Sequence, residues 1–355
     1  MLYEGENLML PRKNLRSFRA GALLLVAATL LSACGGSTSS SATPTQGAER
    51  TALSVGLGYI PGVQFSPFYL AQQSGAYEAA GLNVTLQNQI DPDLISLVGS
   101  GGIDLALADG TSVIPAVSQG IPVRYITTIY GILPNVVIAR ADAGITSASD
   151  LAGKKVATPG QYGSGYLTLL GILGDAGLGI GDIQLELYPD FGQTQALISG
   201  VADAATGFAN NDLVQAEAAG LELSVFYASA SAPFAGPGLI SSPATISTKG
   251  EVIRAFIRVT LDAMEQIAAS PQLGVDAAGQ VVPELIADAV ASARALAVME
   301  ATIKIWRGPI QVANGLGAID RDGWATSMKF LQALPDQNVR ADLSVDELID
   351  ESLLP

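Results

Sequence analysis

Residues 53–84 read LSVGLGYIPGVQFSPFYLAQQSGAYEAAGLNV, and this stretch spells strand, loop, helix, strand. Leu53, Val55 and Leu57 alternate with small or polar residues, as one face of a strand does. Tyr59-Ile60-Pro61-Gly62 stops the strand, because proline lacks an N–H and glycine accepts turn dihedrals. Ser66-Pro67 is expected to open a helix, with the serine hydroxyl as cap and proline in the first turn. Gly81 closes that helix as a left-handed cap, with Leu82 behind it. Strand, crossover helix and strand make a βαβ unit, and hence a parallel sheet. In open α/β sheets ligands bind beyond the carboxyl ends of the strands. The loop at that end runs from Tyr59 to Ser66 and carries Tyr59, Gln64 and Phe65 as candidate binding residues.

The same rhythm continues outward. Asp91-Pro92 is expected to start a second helix, which ends in Gly99-Ser100-Gly101-Gly102. Ile103 to Ala108 is a near-continuous apolar run, the mark of a strand buried on both faces. Asp109-Gly110-Thr111 follows at its carboxyl end, which makes Asp109 and Thr111 candidates. Val123–Ile129 and Val136–Ala139 read as further strands, and Arg140 to Gly144 breaks the pattern. A second round begins with Ser149-Asp150-Leu151-Ala152-Gly153-Lys154-Lys155-Val156, a capped turn feeding a strand. The loop 158–165, TPGQYGSG, precedes a helix, and its free N–H groups suit a polar ligand group. Gln161, Tyr162, Ser164 and Tyr166 are its candidates. Ala202–Phe208 is a short strand, with Phe208, Asn210 and Asn211 at its carboxyl end.

An internal repeat points to two similarly built lobes. Residues 100–106 (SGGIDLA) and 199–205 (SGVADAA) share the pattern S-G-x-x-D-x-A, each between a helix end and a strand. Pro233 to Pro237 is a break, Leu239–Ile246 reads as extended, and from Lys249 onward the apolar spacing is helical. No strand series is left for a third sheet, so the tail packs back onto the first lobe. That requires two crossings, expected near 139–142 and 237–241. The resulting division is 51–140 for lobe one, 141–238 for lobe two, and 239–355 for the return and the C-terminal helices.

The N-terminus is of another kind. Arg12, Lys13, Arg16 and Arg19 precede an apolar run from Ala20 to Leu31, the layout of a secretory signal. The run ends in Leu31-Ser32-Ala33-Cys34, which resembles a bacterial lipobox, with Cys34 lipidated as the new N-terminus. Residues 1–33 are then signal, and 34–50, rich in Gly, Ser and Thr, are a flexible tether. Met9 is an alternative start, since residues 1–8 add nothing to the signal. The chain carries a net charge of −15, which argues against a nucleic-acid partner. It contains no His and one Cys. This removes Ser-His-Asp and Cys-His catalysis, His-based metal sites and disulfides. No catalytic residue, metal site or cofactor is assigned. Walker A is absent and the dinucleotide fingerprint is not matched.

At this point the chain resembles the solute-binding lipoproteins of ABC importers for sulfonates, nitrate, thiamine-pyrimidine precursors or riboflavin. The resemblance spans roughly residues 51–320 and rests on six motifs in order. They are Pro67-Phe68-Tyr69-Leu70-Ala71, Gly75-Ala76-Tyr77, Gly81-Leu82-Asn83-Val84, Gly102-Ile103-Asp104-Leu105-Ala106, Gly120-Ile121-Pro122-Val123 and Ser149 to Val156. It implies an α/β, two-lobed periplasmic-binding-protein type II fold with two crossing strands and the ligand in the cleft. It also implies an ABC permease and a cytoplasmic ATPase as partners, and a lipid anchor at the outer face of the cell membrane. Members that bind the thiamine pyrimidine carry aromatic-x-Pro-Asn-x-x-His after the first strand. Here Tyr59 and Pro61 match, but Gly62 stands for Asn and Phe65 for His.

Five of the twelve candidates are aromatic in a chain with 6% aromatic residues, and none is Lys or Arg. Flat rings and neutral hydrogen-bonding groups suit a neutral planar heteroaromatic ligand. Within the family that leaves riboflavin first and the thiamine-pyrimidine precursor second, with an alkanesulfonate or nitrate behind them. An extracellular sensor and a pyrimidine-synthase-like enzyme are the readings from other classes. The enzyme class relies on His, which this chain lacks.

Overall fold

A computed structural model of the chain describes residues 50–88, 93–227 and 234–355. The lipobox, the tether apart from Arg50, and the Asp91-Pro92 helix start lie outside the described residues, as does Pro233. Ten strands are described, in two five-stranded sheets. The first sheet holds β1 (Thr51–Gly56), β2 (Leu82–Gln87), β3 (Leu105–Ala108), β4 (Arg124–Thr128) and β10 (Gly238–Ser241), in the order β2-β1-β3-β10-β4. The second holds β5 (Asn135–Arg140), β6 (Lys155–Thr158), β7 (Gln184–Leu187), β8 (Ala204–Phe208) and β9 (Leu223–Tyr227), in the order β7-β6-β8-β5-β9. The two orders superpose strand for strand. In each sheet three strands run parallel, and the fourth, β10 or β5, is antiparallel to both its neighbours.

The opening stretch keeps its expected strand pairing, but the single helix expected up to Gly81 is two, Ser66–Gln73 and Ala76–Ala79, parted at Gly75 with φ +74. β1 pairs parallel with β2 from Thr51↔Leu82 to Gly56↔Gln87, and the helix Ser66–Gln73 crosses between them. Ser66 does not cap that helix. Its hydroxyl donates to Val63 O at 2.6 Å and to Gly274 O at 2.7 Å, so it ties the helix start to the C-terminal helices. The helix face carrying Phe68 packs on Phe256, on which Tyr77 also stacks with ring centroids 4.9 Å apart. Each such ring, fully buried, contributes on the order of 1.5–3 kcal/mol.

Three expectations need correction. Asn135–Arg140, read as the end of lobe one, pairs with β8 and β9 in the second sheet, so the first crossing runs through residues 129–134. An apolar run fits the centre of either sheet equally well, and the pattern alone carries no sheet address. The return strand begins at Gly238, inside the stretch assigned to lobe two. Residues 243–246, read as extended, open a long helix, Pro243–Ala269, whose start is capped by Ser242 Oγ on Thr245 N at 3.1 Å. Proline at the first helical turn outranks the β-branched residues that follow it.

Candidate functional site

The carboxyl ends of β1, β3, β6 and β8 bear the candidate loops, and the two halves of the fold meet beside them. Ala209 and Val214, which follow β8, pack on the first sheet's core. Asn210 is 2% exposed, and its Nδ2 donates to Thr302 Oγ1 at 2.9 Å, on the C-terminal helix Ala289–Trp306. Tyr130, just past β4, directs its hydroxyl toward Gln64 O at 3.4 Å. On the other flank Leu167 joins the buried cluster of Val113 and Ile114. Tyr59 meets Phe191 edge to face, with ring centroids 5.9 Å apart.

The twelve predicted residues fall into three groups. Tyr59, Gln64, Asp109, Ser164, Tyr166 and Asn211 are half-buried, and Gln161, Tyr162 and Phe208 are exposed, so these nine have surface to offer a ligand. Tyr162 is 65% exposed, and its ring lies over Gly160, where a Cβ would fall 2.1 Å from the ring. Phe65, Thr111 and Asn210 are buried. Phe65 packs edge-on against Tyr69 within the first core. Thr111 donates its hydroxyl to Asp109 at 2.6 Å. Asp109 is the N-cap of the helix Gly110–Ser118, and its Oδ1 also accepts the N–H groups of Thr111 and Ser112. The hydrogen-bonding roles of Asp109 and Thr111 are thus partly internal to the fold.

Sequence reasoning missed Phe191, Asp212 and Tyr130. Phe191 follows β7 in the same position that selected the other loops, so the positional rule covers it. It has φ +61, in the left-handed region that costs a residue with a Cβ roughly 1 kcal/mol. Asp212 starts the helix Asp212–Ala218 and accepts Phe208 N–H at 2.7 Å and the Thr194 hydroxyl at 2.5 Å. Burial pushes its carboxyl up. Burial, and then the Asp212 charge, push the Tyr59 phenol up, so Asp212 and Tyr59 share one electrostatic environment. Asn135 Oδ1, Gln193 Oε1 and Asn210 Oδ1 are buried acceptors without a hydrogen-bond partner among the described residues.

No group of His, Cys, Asp or Glu that could hold a metal occurs among the described residues. A cavity of about 190 Å³ lies at the crossings, lined by Tyr125, Tyr130, Phe234, Gln311 and Trp324 among others, so Tyr130 borders both it and the candidate loops. It contains none of the twelve residues.

Two α/β sheets of matching order, joined by two crossings with loops facing one another, define the class of periplasmic-binding-protein folds. The fold matches the alkanesulfonate-binding protein SsuA from Xanthomonas axonopodis pv. citri with a TM-score of 0.64 at 17% identity. That match covers 86% of this chain and 100% of the other. The NMT1/THI5-like family pattern matches residues 63–273, and the chain belongs to that family. It is 28% identical over 330 residues to the riboflavin-binding protein RibY of Chloroflexus aurantiacus, covering 90% of this chain and 92% of RibY. It is 29% identical over 266 residues to the formylaminopyrimidine-binding protein of Halalkalibacterium halodurans, covering 72% and 77%.

Proposed function

We propose that this chain is the substrate-binding component of an ABC importer, that it captures riboflavin between two lobes, and that it is not an enzyme. The observation that carries the reading is the likeness to RibY along nine-tenths of both chains. The cleft chemistry agrees with it. Tyr59, Tyr162, Tyr166, Phe191 and Phe208 supply flat faces for a fused ring, and Gln64, Gln161 and Asn211 supply groups for its edges and a polyol. In this reading Cys34 carries the lipid that holds the protein at the outer face of the membrane. Residues 35–50 let it reach a permease driven by a cytoplasmic ATPase. Among the described residues no helix is long and apolar enough to cross a membrane.

Titration of the protein into riboflavin tests this. Stacking on a tyrosine should quench flavin fluorescence and give saturable binding. No binding of riboflavin at micromolar protein, alongside clear binding of formylaminopyrimidine or an alkanesulfonate, would overturn the assignment.

A further inference from the structure

The cavity at the crossings has five aromatic side chains among its fourteen lining residues, in a chain with 6% aromatic residues. Tyr125 comes from β4, Tyr130 from the first crossing, Tyr227 from the end of β9, Phe234 from the return, and Trp324 from the helix Arg321–Ala333. The rings of Tyr125 and Trp324 stand 4.8 Å apart at 60°, so they form a corner rather than a stack. Phe330, outside the wall, meets Phe234 edge to face at 5.3 Å and holds that ring. Tyr227 is 58% exposed and stands at the mouth, whereas the other four are buried and form the floor. The space is framed by backbone. Tyr130 N–H donates to Pro237 O at 2.8 Å, and a Cβ on Gly236 would fall 2.2 Å from Tyr130 O. The two crossings are thus locked to each other, and the cavity is preformed.

One residue of the wall is charged. Asp320 caps the helix Arg321–Ala333 through Oδ1, which accepts Gly323 N–H at 3.0 Å. Among the described residues no Lys or Arg lines the cavity, and Asp320 enters no ion pair. Aromatic rings attract cations through their quadrupole, and a carboxylate adds a full opposite charge. An anion meets only repulsion there. A metal ion finds a single carboxylate, far short of the oxygens that calcium or magnesium requires. A neutral ring suits the walls but leaves the carboxylate without a partner. An apolar cavity of about 150 Å³ takes up benzene, so this one has room for a trimethylammonium group with a short tail.

We propose that this cavity is a second binding site, which takes a small free organic ammonium ion, alkylated at nitrogen and without a phosphate. Seated there, the ion touches both crossings at once. The site is independent of the riboflavin reading of the candidate loops.

The test titrates choline, 3,3-dimethylbutan-1-ol and phosphocholine into the full chain by calorimetry. The alcohol has the shape of choline with carbon in place of nitrogen, so it isolates the charge. Choline should bind saturably with a Kd below about 1 mM, and the other two at least about fivefold more weakly. Asp320→Asn keeps the helix cap, because asparagine caps as well as aspartate does. Tyr227→Ala trims an exposed ring. Each variant should weaken choline binding by about threefold to thirtyfold. Absence of choline binding at about 10 mM, equal affinity for choline and the alcohol, or phosphocholine as tight as choline would each overturn the site. So would unchanged choline affinity in Asp320→Asn. Should that variant not fold, Tyr227→Ala decides by the same measure. Riboflavin binding, present or absent, bears on none of these outcomes.

Discussion

Asp104 and Asp203 hold the same station in the two sheets. Each lies just before the third strand and accepts a backbone N–H from the neighbouring parallel strand: Asp104 Oδ2 from Ser54 at 2.9 Å, Asp203 Oδ2 from Lys155 at 2.9 Å. The glycine three residues earlier, Gly101 or Gly200, ends the preceding helix with φ +80 or +74. The S-G-x-x-D-x-A repeat is therefore a fastening used twice. Glycine reverses the chain at a backbone angle that other residues adopt at a cost, and aspartate ties the new strand to the one beside it.

Asp104 is also paired with Lys249 Nζ at 2.7 Å. Burial pushes its carboxyl up, but the hydrogen bonds from Lys249 and Ser54 outweigh burial and hold it below the usual carboxylate range. A carboxyl lowered on folding adds stability above its unfolded pKa of about 3.9 and loses it as pH falls through the folded value. Asp104→Asn should cost about 1–2 kcal/mol near neutral pH, and the gap to wild type should close below about pH 4. Urea unfolding across that range checks this, and a gap constant with pH would refute it.

Asn210 reaches from the second sheet to Thr302, so it is a contact between the two halves that a closing motion would have to keep. Asn210→Ala should weaken riboflavin binding about fivefold to thirtyfold, the effect of one or two kcal/mol. Small-angle scattering should show a smaller radius for wild type with saturating ligand than for the variant. Equal radii would mean that this contact does not hold closure.

Phe191 separates ring from backbone. Phe191→Gly relieves the left-handed strain, whereas Phe191→Ala keeps it. Both should lower riboflavin affinity by roughly tenfold if the ring lies on the flavin. Only the glycine variant should melt at or above the wild-type temperature. Unchanged affinity in both would remove Phe191 from the site.

Tyr162 can be displaced without touching it. A methyl at Gly160 would strike its ring, the far end of a side chain free to swing aside. Gly160→Ala should therefore reproduce the binding loss of Tyr162→Ala while costing about 1 kcal/mol of stability or less. Full affinity in the Gly160→Ala variant would show that the ring's resting place is irrelevant to the ligand.

Cys34→Ala tests the anchor. The variant should accumulate unprocessed or be released from the membrane, and normal processing with full retention would exclude lipidation at this position.

The sequence made the βαβ order legible because it is written in local signals: period-two runs, Pro and Ser before helices, glycine after them. The places of the candidate loops were legible for the same reason, since Tyr59, Tyr162 and Asn210 each follow a strand and Phe208 ends one. Sheet membership was not. Val136–Ala139 is apolar on both faces, and only its pairing with β8 and β9 tells where it belongs. The partly internal use of Asp109 and Thr111 was equally hidden, because a capping aspartate and a ligand aspartate look alike in one dimension.

All five strands of the second sheet come from one unbroken stretch, 135–227, whereas the first sheet receives β10 about 110 residues after β4 ends. Between β3 and β4 there is a gap that only β10 fills. A chain emerging from the ribosome therefore completes its second sheet before its first. The later-made inner half holds everything it needs as soon as it appears. The earlier-made outer half must wait, with an open slot in its sheet, until the inner half has passed. Exposure to proteases during synthesis should accordingly fall on the N-terminal strands, and a chaperone that holds β4 apart from stray partners would help most in that interval.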